Sequence, residues 1–464
     1  MWFVHMPEYQ RWIKSGHGTL CYLDSDGAKM SALVSNIVKM GLSLHPVLSQ
    51  TIYLDCSQYD TSNPAEAEMG ALHSLIYQNI FLHPGSLERL SEYFKTIRQP
   101  VGRSFNRLFH ENMDEGVQPD CGFMVDALRW VIPVDGLPSF TIIDKIDCMT
   151  REASQRMLGR LLSKINDEAD HILFVGHNDP DLAAKFEGLP TISPRVEAMH
   201  CIGSLHFQEW DDRRSIVETP FGDTDEWIWT DPAFVTWRER SGILWIKGKP
   251  GCGKSTIARM ITDRLARPKE RQSTINPAIA DPDPDSTIAV NFFYSARMGE
   301  RATRHYYMLR SILYQMLRQD YSLYVHFKCT YRRILGDGTT WMLEDLMYVF
   351  ETIIADCSSE RPSLCCVLDG FDESDEIECP QPGSQKSKKT QTSMLSWLAD
   401  LALKQTHGSW LKILVLSRPT TSISRALGAI ASITVEEHNL PAIIKLIEDG
   451  LSKIKQSVSN IRIR

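Results

Sequence analysis

Short apolar runs alternate with amphipathic segments through the second half of the chain. Three runs have the length and composition of buried strands, at residues 243–246, 363–368 and 411–416. Two segments carry apolar residues at helical spacing, at residues 256–265 and 303–318. Because buried strands that alternate with helices are typical of βαβ units, we expect an α/β fold with a parallel sheet and flanking helices.

The first 200 residues repeat this order of segments. Residues 71–78 parallel residues 308–315 at an offset of 237, and the run ending at Asp144 parallels the run ending at Asp369 at an offset of 225. The offsets differ where polar insertions interrupt the pattern, at about 97–120, 266–286 and 380–393. The repeat predicts two tandem copies of one fold; chance similarity between two α/β segments is the alternative.

The length of the chain agrees with this division. At 464 residues the chain is long enough for two or three domains of ~150 residues each. We expect a first copy at residues 1–200, a linker segment at 201–240 and the second copy at 241–464.

A glycine-rich segment joins the first strand of the second copy to its helix. Residues 248–255 read GKPGCGKS, which matches G-x-x-x-x-G-K-[ST] between a strand and a helix, the context of a phosphate-binding loop. Glycines let backbone N–H groups approach phosphate oxygens, and the helix N-terminus favours negative charge. The residues expected to contact a nucleotide are Gly248, Gly251, Cys252, Gly253, Lys254, Ser255 and Thr256. A plain glycine turn is the alternative.

Within this loop, two side chains have specific expected roles. Lys254 would place its charge on the β- and γ-phosphates, and the Ser255 hydroxyl would be a Mg²⁺ ligand. Asp369, at the end of the next conspicuous apolar run, would hold the same Mg²⁺ through water. Mg²⁺ with ATP or GTP is therefore the expected cofactor.

Three further residues are candidates for the hydrolytic chemistry. Asp372 or Glu373 is expected to polarise the attacking water, and Arg418 is expected to sense the γ-phosphate from the end of the third run. The alternatives are a solvated acidic cap after a strand and a surface arginine that starts a turn.

The first copy lacks most of these groups. Its corresponding loop, residues 23–31, has one glycine, and Asp24 and Asp26 would stand where phosphate oxygens should be. Cys148 and His177 occupy the positions of the second copy's glutamate and arginine. We therefore expect residues 1–200 to be a degenerate NTPase-like domain that retains its sheet for packing or partner contact.

Together the motifs of the second copy resemble the NACHT-type signalling NTPases of the STAND class, especially fungal proteins with a nephrocystin-like N-terminal NTPase domain. The resemblance covers about residues 204–450, through the ordered motifs RRSI, LWIKGKPGCGKST, NFFYSAR, LDGFDE and LVLSRP. It implies a P-loop NTPase sheet of the ASCE type and a nucleotide-controlled switch with slow turnover. The family commonly has Ser or Thr at the position of Cys252, where mainly backbone amides contact phosphate, so we expect no loss. No winged-helix segment follows, which suggests a fragment, a truncated chain or a bare tandem module.

Composition excludes several other classes. The net charge of −8 argues against a general nucleic-acid coat or a polybasic membrane binder. No apolar run approaches the ~18–20 residues of a membrane-spanning helix, and the first residues do not resemble a secretory signal. The 11 cysteines include no CxxC pair, which favours free thiols in a reducing compartment. A cytoplasmic protein is expected.

The expected function is a Mg²⁺-dependent switch that binds a nucleoside triphosphate, ATP more readily than GTP, and hydrolyses it slowly. Protein partners or self-association are expected; nucleic acid and a membrane span are not. A constitutive NTPase or phosphotransferase with its own substrate is one alternative. A non-catalytic scaffold or decoy, or a truncated NACHT-family protein that acts through protein contacts, is the other.

Overall fold

The computed structural model divides the chain into two compact units. The first comprises Met1–Glu197 with Leu335–Asp337, and the second comprises Ala198–Ile334 with Gly338–Arg464. The structure describes residues 2–15, 18–24, 34, 51–59, 63–82, 85–96, 124, 127–128, 140–149, 171–177, 184, 186, 189–208, 211–219, 225–240, 242–265, 287–356, 363–375, 391–403, 411–440, 444, 447 and 451.

The first unit is built on a five-stranded parallel sheet in the order β2-β3-β4-β1-β5. Its strands are β1 (Gly18–Asp24), β2 (Thr51–Asp55), β3 (Phe140–Asp144), β4 (His171–His177) and β5 (Thr191–Ile192). Its helices are α1 (Pro7–Lys14), α2 (Pro64–Leu82) and α3 (Ser86–Thr96). Helix α4 (Pro194–Leu205) begins in this unit.

The second unit is built on another five-stranded parallel sheet, in the order β10-β6-β9-β8-β7. Its strands are β6 (Gly242–Lys247), β7 (Thr287–Phe293), β8 (Ser363–Asp369), β9 (Leu411–Ser417) and β10 (Ser432–Thr434). The remaining helices are α5 (Asp212–Ile216), α6 (Pro232–Glu239), α7 (Lys254–Leu265), α8 (His305–Gln319), α9 (Tyr324–Asp337), α10 (Leu343–Ala355), α11 (Gln391–Leu403) and α12 (Thr421–Leu427).

Burial explains why these segments form strands and helices. The inner strands β8 and β9 are apolar along most of their length and almost wholly buried, as strands covered on both faces must be. Helix α7 places Ile257, Ala258 and Ile261 in the core that also contains Leu244 and Val367. The α/β fold with parallel sheets and flanking helices is therefore as predicted.

The two sheets have the same strand order relative to the chain. In each, the first strand lies between the fourth and the fifth, and the third lies between the second and the fourth. The register also corresponds: Ile143 pairs with Phe174 in the first sheet, and Leu368 pairs with Val415 in the second. These pairs are related by offsets of 225 and 241 residues.

Some predicted segments fall partly or wholly outside the described residues. The insertions predicted at 97–120 and 266–286 lie outside them, as do residues 380–390 of the third. Residues 391–393, predicted to belong to that polar loop, instead form the first turn of α11, where Gln391 is buried. None of the described helices combines the length and the apolar character that crossing a membrane requires.

Parallel pairing brings the carboxyl ends of the strands to one edge of the second sheet. The segments that follow β6, β8, β9 and β10 therefore meet there. Asp369, the last residue of β8, is level with Leu416 on β9, and Lys247, the last residue of β6, is level with Ser417. This edge contains the candidate site.

Candidate functional site

The glycine loop, residues 248–255, connects β6 to α7. Gly251 (φ 78°) and Gly253 (φ 101°) lie in the left-handed region, where a residue with a side chain would be strained. At Gly248 an added Cβ would lie 2.5 Å from the Cys252 Sγ and 2.8 Å from the Glu436 Oε2. The loop therefore needs glycine at Gly251 and Gly253 for backbone reasons, and at Gly248 a side chain would displace Cys252 and Glu436.

Lys254 begins helix α7 and turns its ammonium group back onto the loop. Its Nζ donates to the carbonyl oxygens of Gly248 at 2.7 Å and Lys249 at 2.8 Å. The positive charge thus lies beside the backbone N–H groups of the helix N-terminus, and both favour an anion at this point. Thr256 follows in the first turn of α7 and is half-buried.

Cys252 is half-buried in the loop. Its sulfur accepts a long contact of 3.6 Å from the Lys254 Nζ. Burial raises the pKa of the thiol, although the Lys254 charge opposes the shift. The thiol therefore stays protonated at neutral pH and adds no negative charge to the loop.

The structure brings Ser255 and Asp369 together although 114 residues separate them. The Ser255 Oγ donates to the Asp369 Oδ2 at 2.5 Å. Asp369 is 2% exposed, and its second oxygen, Oδ1, is buried without a hydrogen-bond partner among the described residues. Burial raises the pKa of Asp369 to about 6, against the Ser255 bond and the charges of Arg213 and Lys254. A buried oxygen without a partner is costly, so a ligand or water at Oδ1 would be stabilising.

The donor set at this point is that of a hard cation. Hydroxyl and carboxylate oxygens suit Mg²⁺, which usually takes only one or two protein ligands and completes its shell with water and phosphate oxygens. Among the described residues, no group of three or more His, Cys, Asp and Glu side chains could hold a metal ion. Ser255 and Asp369 fit a cation that arrives with its own phosphate ligands.

The three residues predicted for hydrolysis lie on the segments after β8 and β9. Gly370 (φ 65°) turns the chain into a 3-10 turn, Phe371–Glu373. The Asp372 Oδ1 accepts from the backbone N–H of Arg418 at 2.8 Å, and its Oδ2 accepts from the Arg418 Nε. The Glu373 Oε2 accepts from the backbone N–H of Ala296 at 3.0 Å. Both oxygens of Asp372 are thus engaged by Arg418, whereas Glu373 has one engaged oxygen.

Sequence reasoning missed Glu436, which lies in the 3-10 turn Val435–Glu437 after β10. Its Oε1 accepts from the backbone N–H of Lys249 in the glycine loop, and its Oε2 is buried. Burial would raise the pKa of Glu436, but the Lys249 N–H and the Lys254 charge hold it below its usual value. The carboxylate therefore stays ionised and braces the loop. No motif marks it; only the parallel pairing of β10 with β6 brings it there.

Sequence reasoning also assigned no role to Arg213, on the short helix α5. Arg213 lines a pocket of about 280 Å³ near the carboxyl end of β7. The pocket is lined by three arginines, two acidic residues and apolar side chains; besides Arg213 they are Phe207, Asp212, Arg214, Phe292, Phe293, Met298, Glu300, Arg301 and Ala302. The sequence feature that could have indicated Arg213 is the RRSI segment, which precedes the glycine loop. This segment has no helical periodicity.

Comparison with protein families supports the expected similarity to the nephrocystin N-terminal domain. Residues 223–418 match the sequence model of a family described as Nephrocystin 3, N-terminal. The matched range includes the glycine loop, Asp369 and Arg418. A comparison with curated proteins gives no match.

Two similar solved structures come from Thermomonospora curvata. The cytoplasmic domain of its Type VII secretion ATPase EccC is 11% identical with a TM-score of 0.20, over 90% of this chain and 52% of that chain. EccC ATPases 2 and 3, in complex with a signal sequence peptide, are 12% identical with a TM-score of 0.20, over 90% of this chain and 81% of that chain. The present chain spans about half the length of the first structure. At these TM-scores neither similarity carries an argument about function.

Proposed function

We propose that the second unit is a P-loop NTPase of the NACHT type, which binds a nucleoside triphosphate with Mg²⁺ at the glycine loop and uses occupancy as a switch. The single observation that carries the proposal is the contact of Ser255 with the buried Asp369, formed beside Lys254. Lys254 and Ser255 of the glycine loop converge with Asp369 of a distant motif, as a phosphate and Mg²⁺ site requires. The family match over residues 223–418 and the resemblance of the motifs support the same assignment.

The strand order is further support for the ASCE type. Strand β9 lies between β6, which leads into the glycine loop, and β8, which ends at Asp369. The resemblance implies a parallel sheet of the ASCE type, and we assign this strand order to it. Arg418 follows β9 and therefore lies at the same edge as the loop.

The residues present divide the work of nucleotide binding among them. Lys254 and the N–H groups at the start of α7 would bind the phosphates, while Ser255 and Asp369 would hold Mg²⁺. Mg²⁺ supplies charge neutralisation between the β- and γ-phosphates when it is bound. On phosphate binding, the Lys254 ammonium would leave the loop carbonyls and bond to a phosphate oxygen instead. This exchange is favourable because the ammonium gains an ionic partner.

Hydrolysis, in this proposal, depends on the segments after β8 and β9. Glu373 is the better candidate to orient water, since one of its oxygens has no hydrogen bond among the described residues. Asp372 is engaged by Arg418 through both oxygens, which makes it a positioning residue for that arginine. A base held by a backbone N–H and an arginine held by a carboxylate are consistent with slow turnover.

The test is calorimetric titration of the full chain with Mg·ATP and Mg·GTP. Lys254→Ala removes the charge-assisted contacts to phosphate and should lower affinity by about 30-fold or more, the equivalent of ~2 kcal/mol. Lys247→Ala is the matched control, because it removes a lysine one residue before the loop whose ammonium lies over the Trp245 ring. This control should bind within about twofold of wild type.

The same titration separates the alternatives. If folded wild-type chain binds neither nucleotide in the presence of Mg²⁺, the proposal is wrong and the scaffold function is favoured. Turnover above ~1 s⁻¹, the lower end for dedicated phosphoryl-transfer enzymes, would favour a constitutive enzyme over a switch. Tight binding with slow turnover supports the switch, and comparison of the two nucleotides decides between ATP and GTP.

A further inference from the structure

Arg213 differs from the other arginines around the candidate site in what its side chain contacts. Arg214 pairs with Asp211 and Asp263, and Arg418 pairs with Asp372. The Arg213 side chain has no hydrogen bond or close ion pair with any described residue, and its Nε is buried. A guanidinium that is partly withdrawn from water without a carboxylate partner is unfavourable, and an anionic ligand would relieve that cost.

The position of Arg213 indicates which anion. Helix α5 packs against β7, and the pocket that Arg213 lines also includes Phe293, the last residue of β7. Phe293 pairs with Asp369 across the sheet. The guanidinium therefore lies on the β7 side of the Ser255–Asp369 pair.

We propose that Arg213 binds the terminal phosphate of the nucleoside triphosphate and so gives the site its preference for triphosphate over diphosphate. This inference rests on the function proposed above. A guanidinium presents two parallel N–H donors that match phosphate oxygens, and such charge-assisted pairs are among the strongest polar contacts in proteins. The sequence indicates Arg418 for this role, but both the backbone N–H and the Nε of Arg418 donate to Asp372. Of Arg213, Arg214 and Arg418, Arg213 is the one without a carboxylate partner among the described residues, so we assign it, together with Lys254, to the phosphate.

The test compares Mg·ATP and Mg·ADP affinities of the full chain by calorimetry. Arg213→Gln, which keeps most of the side-chain length without the charge, should lower ATP affinity by about tenfold or more and change ADP affinity by less than twofold. Arg213→Lys keeps the charge without the paired donors and should lose about threefold for ATP alone. Arg333→Ala is the control, since Arg333 pairs with Asp345 and does not line the pocket.

The outcomes distinguish failure of this inference from failure of the proposed function. If wild-type chain binds neither nucleotide, both are wrong. If wild-type chain binds but Arg213→Gln loses ATP and ADP equally, Arg213 only supports the fold and the inference is wrong. An ATP-to-ADP ratio that is unchanged in both Arg213 variants also overturns it. Where Arg213→Gln does not fold, Arg213→Lys alone decides, because its threefold selective loss remains measurable.

Discussion

The carboxyl edges of the two sheets share one backbone frame and differ in the groups placed on it. In each unit a buried aspartate, Asp144 or Asp369, ends the third strand. A left-handed residue follows, Lys145 (φ 56°) in the first unit and Gly370 (φ 65°) in the second. Each then leads into a 3-10 turn. The same turn is therefore built once with glycine and once with a lysine that must accept the strained conformation.

A hydrogen bond across the strands is also common to the two edges. The Asp147 Oδ1 accepts from the backbone N–H of His177 at 2.9 Å, as the Asp372 Oδ1 does from that of Arg418 at 2.8 Å. Each bond ties the turn after the third strand to the end of the fourth. The frame of the site is thus present in both units.

The buried aspartates have different partners. The Asp369 Oδ2 accepts from Ser255 in the glycine loop, whereas the Asp144 Oδ2 accepts from the Tyr53 hydroxyl on β2 at 2.8 Å. At the end of the first strand, Asp24 is fully buried and accepts from the Tyr22 hydroxyl at 2.8 Å. Residues 25–33 lie outside the described residues, so the expectation that Asp24 and Asp26 stand where phosphate oxygens should be stays a prediction. In the first sheet, Asp24 and Asp144 are thus bonded to tyrosines of the same sheet.

The largest expected effect tests this difference in partners. Asp369→Asn removes the charge offered to Mg²⁺ and should lower Mg²⁺-dependent ATP affinity by about tenfold or more. Asp144→Asn should leave that affinity within about twofold, because its carboxylate is bonded to Tyr53. Titrations with Mg²⁺ and with EDTA measure both. Equal losses in the two variants would mean that the edges are not functionally different.

A second prediction concerns the left-handed residue. At Gly370 an added Cβ would lie 2.9 Å from the backbone oxygen of Tyr294, so Gly370→Ala should cost about 3 kcal/mol of unfolding free energy through strain and the clash. At Lys145, Gly should be more stable than Ala by about 1 kcal/mol, since both lose the ion pair with Asp55 but only Gly tolerates the conformation. Urea unfolding measures both. A more stable Lys145→Ala variant would contradict the assigned backbone.

A third prediction concerns the helix beside each sheet. The offset of 237 residues makes buried Glu68 of α2 the sequence counterpart of buried His305 of α8. Burial lowers the pKa of His305 to about 4, so below pH ~6.5 the unfolded chain binds the proton that the folded chain refuses. Stability from this group is complete above pH ~6.5 and falls as the pH drops towards 4, by about 2 kcal/mol between pH 7 and 5.

His305→Phe isolates this effect, because phenylalanine preserves an aromatic ring against Phe371 and cannot titrate. Urea unfolding at pH 7 and pH 5 should show a loss about 2 kcal/mol smaller in the variant than in the wild-type chain. The same loss in both chains would show that the ring of His305 is protonated in the folded state.

The smallest expected effect tests what the two edges share. Asp147→Ala and Asp372→Ala each remove one carboxylate acceptor from a backbone N–H and should cost about 1 kcal/mol of unfolding free energy. Asp372→Ala also frees Arg418, whose exposed ion pair adds less than ~1 kcal/mol. Urea unfolding at pH 7 provides the measurement. A loss in one unit only would mean that the common bond supports one sheet alone.

The predictable parts of this molecule are those that a local pattern encodes. Apolar runs that end in Asp144 and Asp369 predicted the strands, and the glycine spacing predicted the loop that contains Lys254. The contact of Glu436 with the loop was not predictable. Strand β10 has only three residues, too few for a recognisable pattern, and it pairs with β6, which is almost 200 positions earlier in the chain. The left-handed conformation of Lys145 could not be predicted, because a lysine in the sequence gives no indication of a positive φ.

The Glu436 carboxylate connects the glycine loop to the segment that follows β10. Because Glu436 is bonded to the Lys249 N–H, a displacement of the segment beyond β10 would alter the loop, and a change in the loop would shift that segment. Thermodynamic linkage makes such coupling reciprocal. If a protein that binds this segment changes the nucleotide affinity by some factor, nucleotide binding changes the affinity for that protein by the same factor.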